Sequence, residues 1–170
     1  MALETIRLQG LEGVMATLRQ LPPEVVSRRG GPVRAALRKG ALVIQRQEIA
    51  NLQQVIAQPN QDGLPDNSTG LLEKNIVVTR GRPPQGVNGE RYLVRIRSKR
   101  YPNATGTKPV TTSQVARWFE YGTEDRAQQP FIRPAFEAKK VEAAETVVSE
   151  LNKSLARIQK KLERQNRVKT

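Results

Sequence analysis

The chain has no cysteine and no histidine among its 170 residues. The first absence excludes disulfides and thiolate metal sites. The second removes the commonest metal ligand and the usual general base near neutral pH. Aromatic residues are scarce: one Trp, three Tyr and three Phe. Acidic side chains are outnumbered, 16 Asp and Glu against 29 Lys and Arg, which leaves a formal net charge of +13. A surplus of that size favours anionic partners, either nucleic acid or an acidic protein surface. No run is long or apolar enough to span a bilayer, and Met1 to Gly13 carries Glu4 and lacks an apolar signal core. The expectation is a protein made in a reducing cytoplasm, with no membrane contact. At this length one domain is expected, burying roughly 70% of the surface its unfolded chain exposes. That domain is placed over residues 1–159, and the basic, polar stretch 160–170 is expected to fray.

The few aromatics are concentrated. The only Trp, all three Phe and one Tyr fall within Arg117 to Phe136, in the segments Arg117-Trp118-Phe119-Glu120-Tyr121-Gly122-Thr123 and Pro130-Phe131-Ile132-Arg133-Pro134-Ala135-Phe136. Aromatic rings bury more apolar surface than other side chains, so a core or an interface is organised here. Two Pro and a Gly restrict the backbone between the rings. The cluster predicts a hinge at which a short helix, a loop and a long helix pack together.

Periodicity places the remaining elements. Leu3 to Leu8 suits a short strand, and Leu11, Val14, Met15, Leu18 and Leu21 mark one face of a helix stopped by Pro22-Pro23. Gly30-Gly31 breaks the chain, and Pro32 suits the first turn of a long helix outlined by Val33, Leu37, Ala41, Ile44, Leu52 and Ile56. Gly40 inside that helix either weakens it or permits close approach of a neighbour. Pro59 to Gly70 is a loop by composition. Leu71-Leu72 and Ile76-Val77-Val78 lead into a strand, and Tyr92 to Arg97 reads as a second, antiparallel to it. Ser113 suits the N-cap of a short helix running to Tyr121, with Gly122 as its C-terminal cap. Pro134 sits in the first turn of a last helix whose seam is Val141, Ala144, Val148, Leu151, Leu155, Ile158 and Leu162. The fold class is therefore α+β, a small antiparallel sheet (a hairpin plus a possible N-terminal strand) packed against a long central helix and a long C-terminal helix.

No constellation for catalysis, cofactor or metal stands out. Neither G-x-x-x-x-G-K-[ST] nor G-x-G-x-x-G occurs. Glu120, Glu124 and Asp125 are close in sequence, but Arg117 and Arg126 flank them, which suggests salt bridging or solvation. The hairpin region is dense in one sign of charge: Arg80, Arg82, Arg95, Arg97, Lys99 and Arg100. Alternation puts Arg95 and Arg97 on one strand face, with Arg80 a candidate beside them. Guanidinium forks match phosphate or carboxylate bidentately, so this face suits an anionic partner or non-specific contact with DNA. The stacking aromatics of a single-strand reader are missing from it.

The series Thr69-Gly70-Leu71-Leu72, then Ala116 to Thr123 (ARWFEYGT), then Gln129 to Ala135 (QPFIRPA), resembles the tail-component proteins of long-tailed bacteriophages. These are described as tail-completion or head–tail joining proteins, with the minor tail protein Z type a relative. Pro65, Thr69, Gly70 and Leu72 match the family's Pro-rich loop with Thr-Gly-x-Leu. Glu120, Tyr121, Gly122 and Thr123 match its Glu-aromatic-Gly-Thr turn. Pro130, Phe131, Ile132, Pro134 and Ala135 match the segment that opens its last helix, while the long basic C-terminal extension departs from the pattern. The resemblance implies a structural virion protein, not an enzyme, that completes the tail and joins it to the head along the DNA exit path. Its implied partners are further copies of itself in a ring, hexameric by analogy with tail symmetry, and the neighbouring tail-terminator and head-connector proteins. Candidate contact residues are Thr69, Gly70, Leu72, Trp118, Phe119, Glu120, Tyr121, Gly122, Thr123, Pro130, Phe131 and Pro134. A compact, non-specific DNA-binding protein is the competing expectation.

Overall fold

The computed structural model describes residues 31–58, 68–83, 85–86, 89–102, 109–124 and 127–168. The strand expected over Leu3 to Leu8, the helix of Leu11 to Leu21 and residues 59–67 of the loop lie outside them. The described elements are helix α1 (Gly31–Ala57), helix α2 (Leu71–Lys74), strands β1 (Ile76–Gly81) and β2 (Arg91–Ile96), helix α3 (Thr112–Tyr121) and helix α4 (Ile132–Val168). The two strands pair antiparallel, and the fold is α+β. The chain divides into two compact units, one made of Ala41–Arg80 with Leu93–Lys140, the other of Met1–Gly40, Gly81–Tyr92 and Val141–Thr170.

The first of these units is built on Leu52, Leu72, Ile76, Ala116, Phe119 and Phe131, with Ile49, Ile56, Val94, Ile96 and Ile132 against them. Burying side chains of this size contributes about 1.5–3 kcal/mol each. The sheet thus packs on α1 and on the start of α4. Gln45 on α1 donates from Nε2 to the Ile76 carbonyl at 2.6 Å, which ties the helix to β1. Leu71 and Leu72 form a single helical turn rather than the approach to a strand. Gly70 begins that turn at φ 66°, ψ 6°, a left-handed conformation that glycine adopts without steric cost. Asn75 ends it, donating from its backbone N–H to the Leu72 carbonyl and from Nδ2 to the Leu71 carbonyl. Leu72 enters the core as a result.

Helix α3 starts two residues before the sequence pattern suggests. Thr111, not Ser113, is the N-cap: its side chain accepts from the Gln114 N–H, and Gln114 Oε1 accepts from the Thr111 N–H at 2.9 Å. Thr112 fixes this start because it is fully buried. Its hydroxyl donates to the Arg97 carbonyl at 2.6 Å and accepts from the Lys99 N–H at 2.9 Å. The helix is thereby fastened to the chain leaving β2. Gly122 closes it as expected, at φ 78° with its N–H on the Trp118 carbonyl.

In the other unit, Ala36, Leu151 and Leu155 are buried with Val33, Val147 and Val148 against them. Gly40 is a close-approach glycine. A Cβ there would lie 2.5 Å from Val147 Cγ2 and 2.8 Å from the Ala143 carbonyl oxygen. That crossing sets the buried line of α4 on Ala143, Leu151 and Leu155, so Val141, expected on the seam, is 53% exposed instead. Ion pairs join Arg34 to Glu90 at 2.7 Å and Lys39 to Glu150 at 2.5 Å. The Lys39 hydrogen bond, reinforced by Lys153, holds the Glu150 carboxyl below its usual range. Helix α4 continues to Val168, through much of the stretch where fraying was expected.

Candidate interaction site

The two aromatic segments meet through one carboxylate. Glu120 lies in the last turn of α3 and is only 4% exposed. Its Oε2 accepts from the backbone N–H groups of Phe131 and Ile132, at 3.1 and 3.0 Å. Its Oε1 accepts from the N–H of Arg133 at 3.2 Å and from Arg133 Nε at 3.3 Å. These amides begin α4, where a helix leaves its first N–H groups without internal partners and presents a partial positive charge. Glu120 therefore does for α4 what an N-cap residue does locally, but from another helix. Pro134 in the same first turn has no N–H to satisfy.

Contacts from α1 and from both aromatic segments close the joint around the carboxylate. Phe119 and Phe131 meet edge to face, ring centres 6.4 Å apart. The Gln129 N–H donates to the Phe119 carbonyl at 2.8 Å. From α1, Asn51 Nδ2 donates to the Phe131 carbonyl at 3.2 Å. Glu48, one turn earlier on α1, is also 4% exposed. Burial, and then the charge of Glu120, push its carboxyl from an ordinary 4.5 up to about 7.

Outside this joint the same segments display aromatic surface. Trp118 is 42% exposed, Tyr121 68% and Phe136 46%. Arg133 spans the two layers: its Nε is on Glu120, and its guanidinium lies 5.6 Å from the centre of the Tyr121 ring. Such a cation–π contact holds an exposed ring in place.

The chain matches no family model, no curated protein and no solved structure.

The candidate contact residues thus separate into two layers. Leu72, Phe119, Glu120 and Phe131 are buried and hold the joint together; they shape a surface without forming it. Thr69, Trp118, Tyr121, Thr123 and Pro134 are exposed, while Gly70, Gly122 and Pro130 are half-buried. Neither Asn51 nor Glu48 was singled out from the sequence. The signal for them was spacing: Gln45, Glu48 and Asn51 recur every three residues beside the apolar face of α1, a polar line that needs partners.

The six basic candidates are all exposed, but strand alternation does not put them on one face. Ile76 belongs to the core, and Arg80 follows it by four residues, so alternation aims Arg80 toward the side Ile76 faces. Val94 and Ile96 belong to the core, so Arg95 between them points the other way. Arg80 is therefore not beside Arg95. Arg97, Lys99 and Arg100 follow on the segment that Thr112 holds, and Arg82 belongs to the other unit.

Proposed function

We propose that this protein is a structural component of the neck of a long-tailed bacteriophage, one that completes the head-proximal end of the tail and joins it to the head. The observation that supports this most is the Glu120 joint. The Glu-Tyr-Gly-Thr and Pro-Phe-Ile-Arg-Pro-Ala segments, which carry the resemblance, interlock through a buried carboxylate on three backbone amides. Its outer layer is aromatic and basic, as suits protein–protein contact. In a ring, one patch of each copy would meet a different patch of the next. A hexamer follows by analogy with tail symmetry. Neighbouring rings above and below complete the set of partners.

The test is assembly without the protein. Phage lacking it should accumulate filled heads and separate tails, and adding the purified chain should restore joined, infectious particles. Normal joining in its absence would refute the proposal. The competing function, non-specific DNA binding, draws on the exposed Arg95, Arg97 and Lys99, spaced two residues apart. It requires steeply salt-dependent binding of the isolated chain to duplex DNA, reduced by Arg95→Gln with Arg97→Gln.

A further inference from the structure

Tyr121 is the most exposed of the large aromatic side chains, yet it is not loose. Arg133 lies against its ring, and Glu120 holds Arg133 through Nε. The guanidinium is thus oriented from behind by a buried carboxylate, and its side chain remains 66% exposed. The terminal nitrogens have no further partner among the described residues. On α3, Trp118 stands one turn before Tyr121, and Arg117 shares that face at the i, i+4 spacing. On α4, Phe136 stands one turn after Arg133.

From this arrangement we propose that Trp118, Tyr121, Arg133 and Phe136 form the docking site for an acidic segment of a different protein, in which a carboxylate pairs with Arg133 and an apolar side chain lies on the rings. The chemistry fits each part. A guanidinium fixed in orientation meets a carboxylate through two parallel N–H groups. Trp, Tyr and Arg are also the residues that dominate binding energy at protein interfaces. Charge selects the occupant. A second copy of a chain with net charge +13 is on balance repelled by Arg117 and Arg133, whereas an acidic partner is attracted. This rests on the neck proposal for biological context, since it names the face that the adjoining ring would use. The site itself is a property of the isolated protein.

The test uses the full chain and a fluorescein-labelled peptide alternating Glu with Leu and Phe, with its Gln-for-Glu counterpart and a duplex DNA of similar charge as comparison probes. Binding is read by fluorescence anisotropy in moderate salt. The acidic peptide should bind, and the Gln peptide should bind at least tenfold more weakly. Trp118→Ser with Tyr121→Ser should weaken the acidic peptide at least tenfold while leaving the melting temperature and DNA binding unchanged. Arg133→Lys keeps the charge but loses the fork, and it should weaken the peptide severalfold. Peptide binding that ignores these changes but falls with Arg95→Gln and Arg97→Gln would overturn the proposal in favour of diffuse attraction to the basic strand. Self-association lost in the Trp118, Tyr121 variant, without peptide binding, would overturn it in favour of a second copy. Because none of these measurements needs a particle, a negative result here leaves the neck proposal to the joining assay.

Discussion

Glu48 offers a quantitative test of the joint. It is buried on α1 beside Glu120, and its carboxyl is raised from 4.5 to about 7. In the unfolded chain it ionises near its ordinary value; in the folded protein it keeps its proton well beyond that. Below about pH 4.5 both states are protonated and Glu48 costs nothing. Between about pH 4.5 and 7 the unfolded chain loses the proton while the folded protein retains it, so stability falls as pH rises; above about 7 the loss is complete. The gap between the two values corresponds to about 3 kcal/mol. Gln is close in shape to the protonated acid and cannot ionise. Glu48→Gln should therefore stabilise the protein by about 3 kcal/mol at pH 8.5, by less at pH 6, and hardly at all at pH 4.5. Urea unfolding of both proteins at these three pH values measures it directly. A difference that does not change with pH, or a Gln variant less stable at pH 8.5, would refute the burial of the Glu48 carboxyl beside Glu120.

Other substitutions probe separate parts of the structure. Glu120→Gln removes the charge that the amides of residues 131–133 share and should cost about 2–3 kcal/mol, and more at pH 8.5 when Glu48→Gln is already present and no repulsion is left to relieve, measured as a double-mutant cycle. Phe131→Ala empties a fully buried ring position and should cost about 3–5 kcal/mol by chemical denaturation. Gly40→Ala should destabilise by about 1–3 kcal/mol although Ala is the better helix former, because its methyl would press on the Ala143 carbonyl and Val147. Thr112→Val leaves the Lys99 N–H and the Arg97 carbonyl without the hydroxyl and should cost about 1–2 kcal/mol, with faster amide exchange at Lys99.

Much of this fold can be read from local pattern. Pro32 and the 3–4 spacing after it mark α1, and the alternation of Tyr92 to Arg97 marks β2. Gly122 ends α3 because its positive φ favours glycine. Where local pattern misleads, a long-range contact decides. Ser113 is as good a capping residue as Thr111, but the buried hydroxyl of Thr112, bound to Arg97 and Lys99, sets the helix start. Leu71 and Leu72 look like strand residues until Gly70 and Asn75 turn them into one helical turn. Val141 fits a heptad, yet the crossing of Ala143 over Gly40 rotates α4 and turns it outward.

The site is legible in the same partial way. Composition alone marks 117–136 as the organising region, because nearly all the aromatics are there. It cannot show which aromatics face inward, since Phe119 and Trp118 are neighbours in sequence, yet the first is buried and the second exposed. Nor does the sequence reveal what Glu120 does. Flanked by Arg117 and Arg126 it reads as salt-bridged or solvated, whereas its partners are three backbone amides and the Arg133 side chain, eleven to thirteen residues ahead. Backbone donors leave no trace in a sequence.

The most direct test of the central proposal is electron cryo-microscopy of the particle that carries this protein. The prediction is a ring of this chain at the head–tail junction, with Trp118, Tyr121 and Phe136 against a neighbouring protein and Glu120 buried within each subunit. A particle whose junction contains no copy of the chain would contradict it.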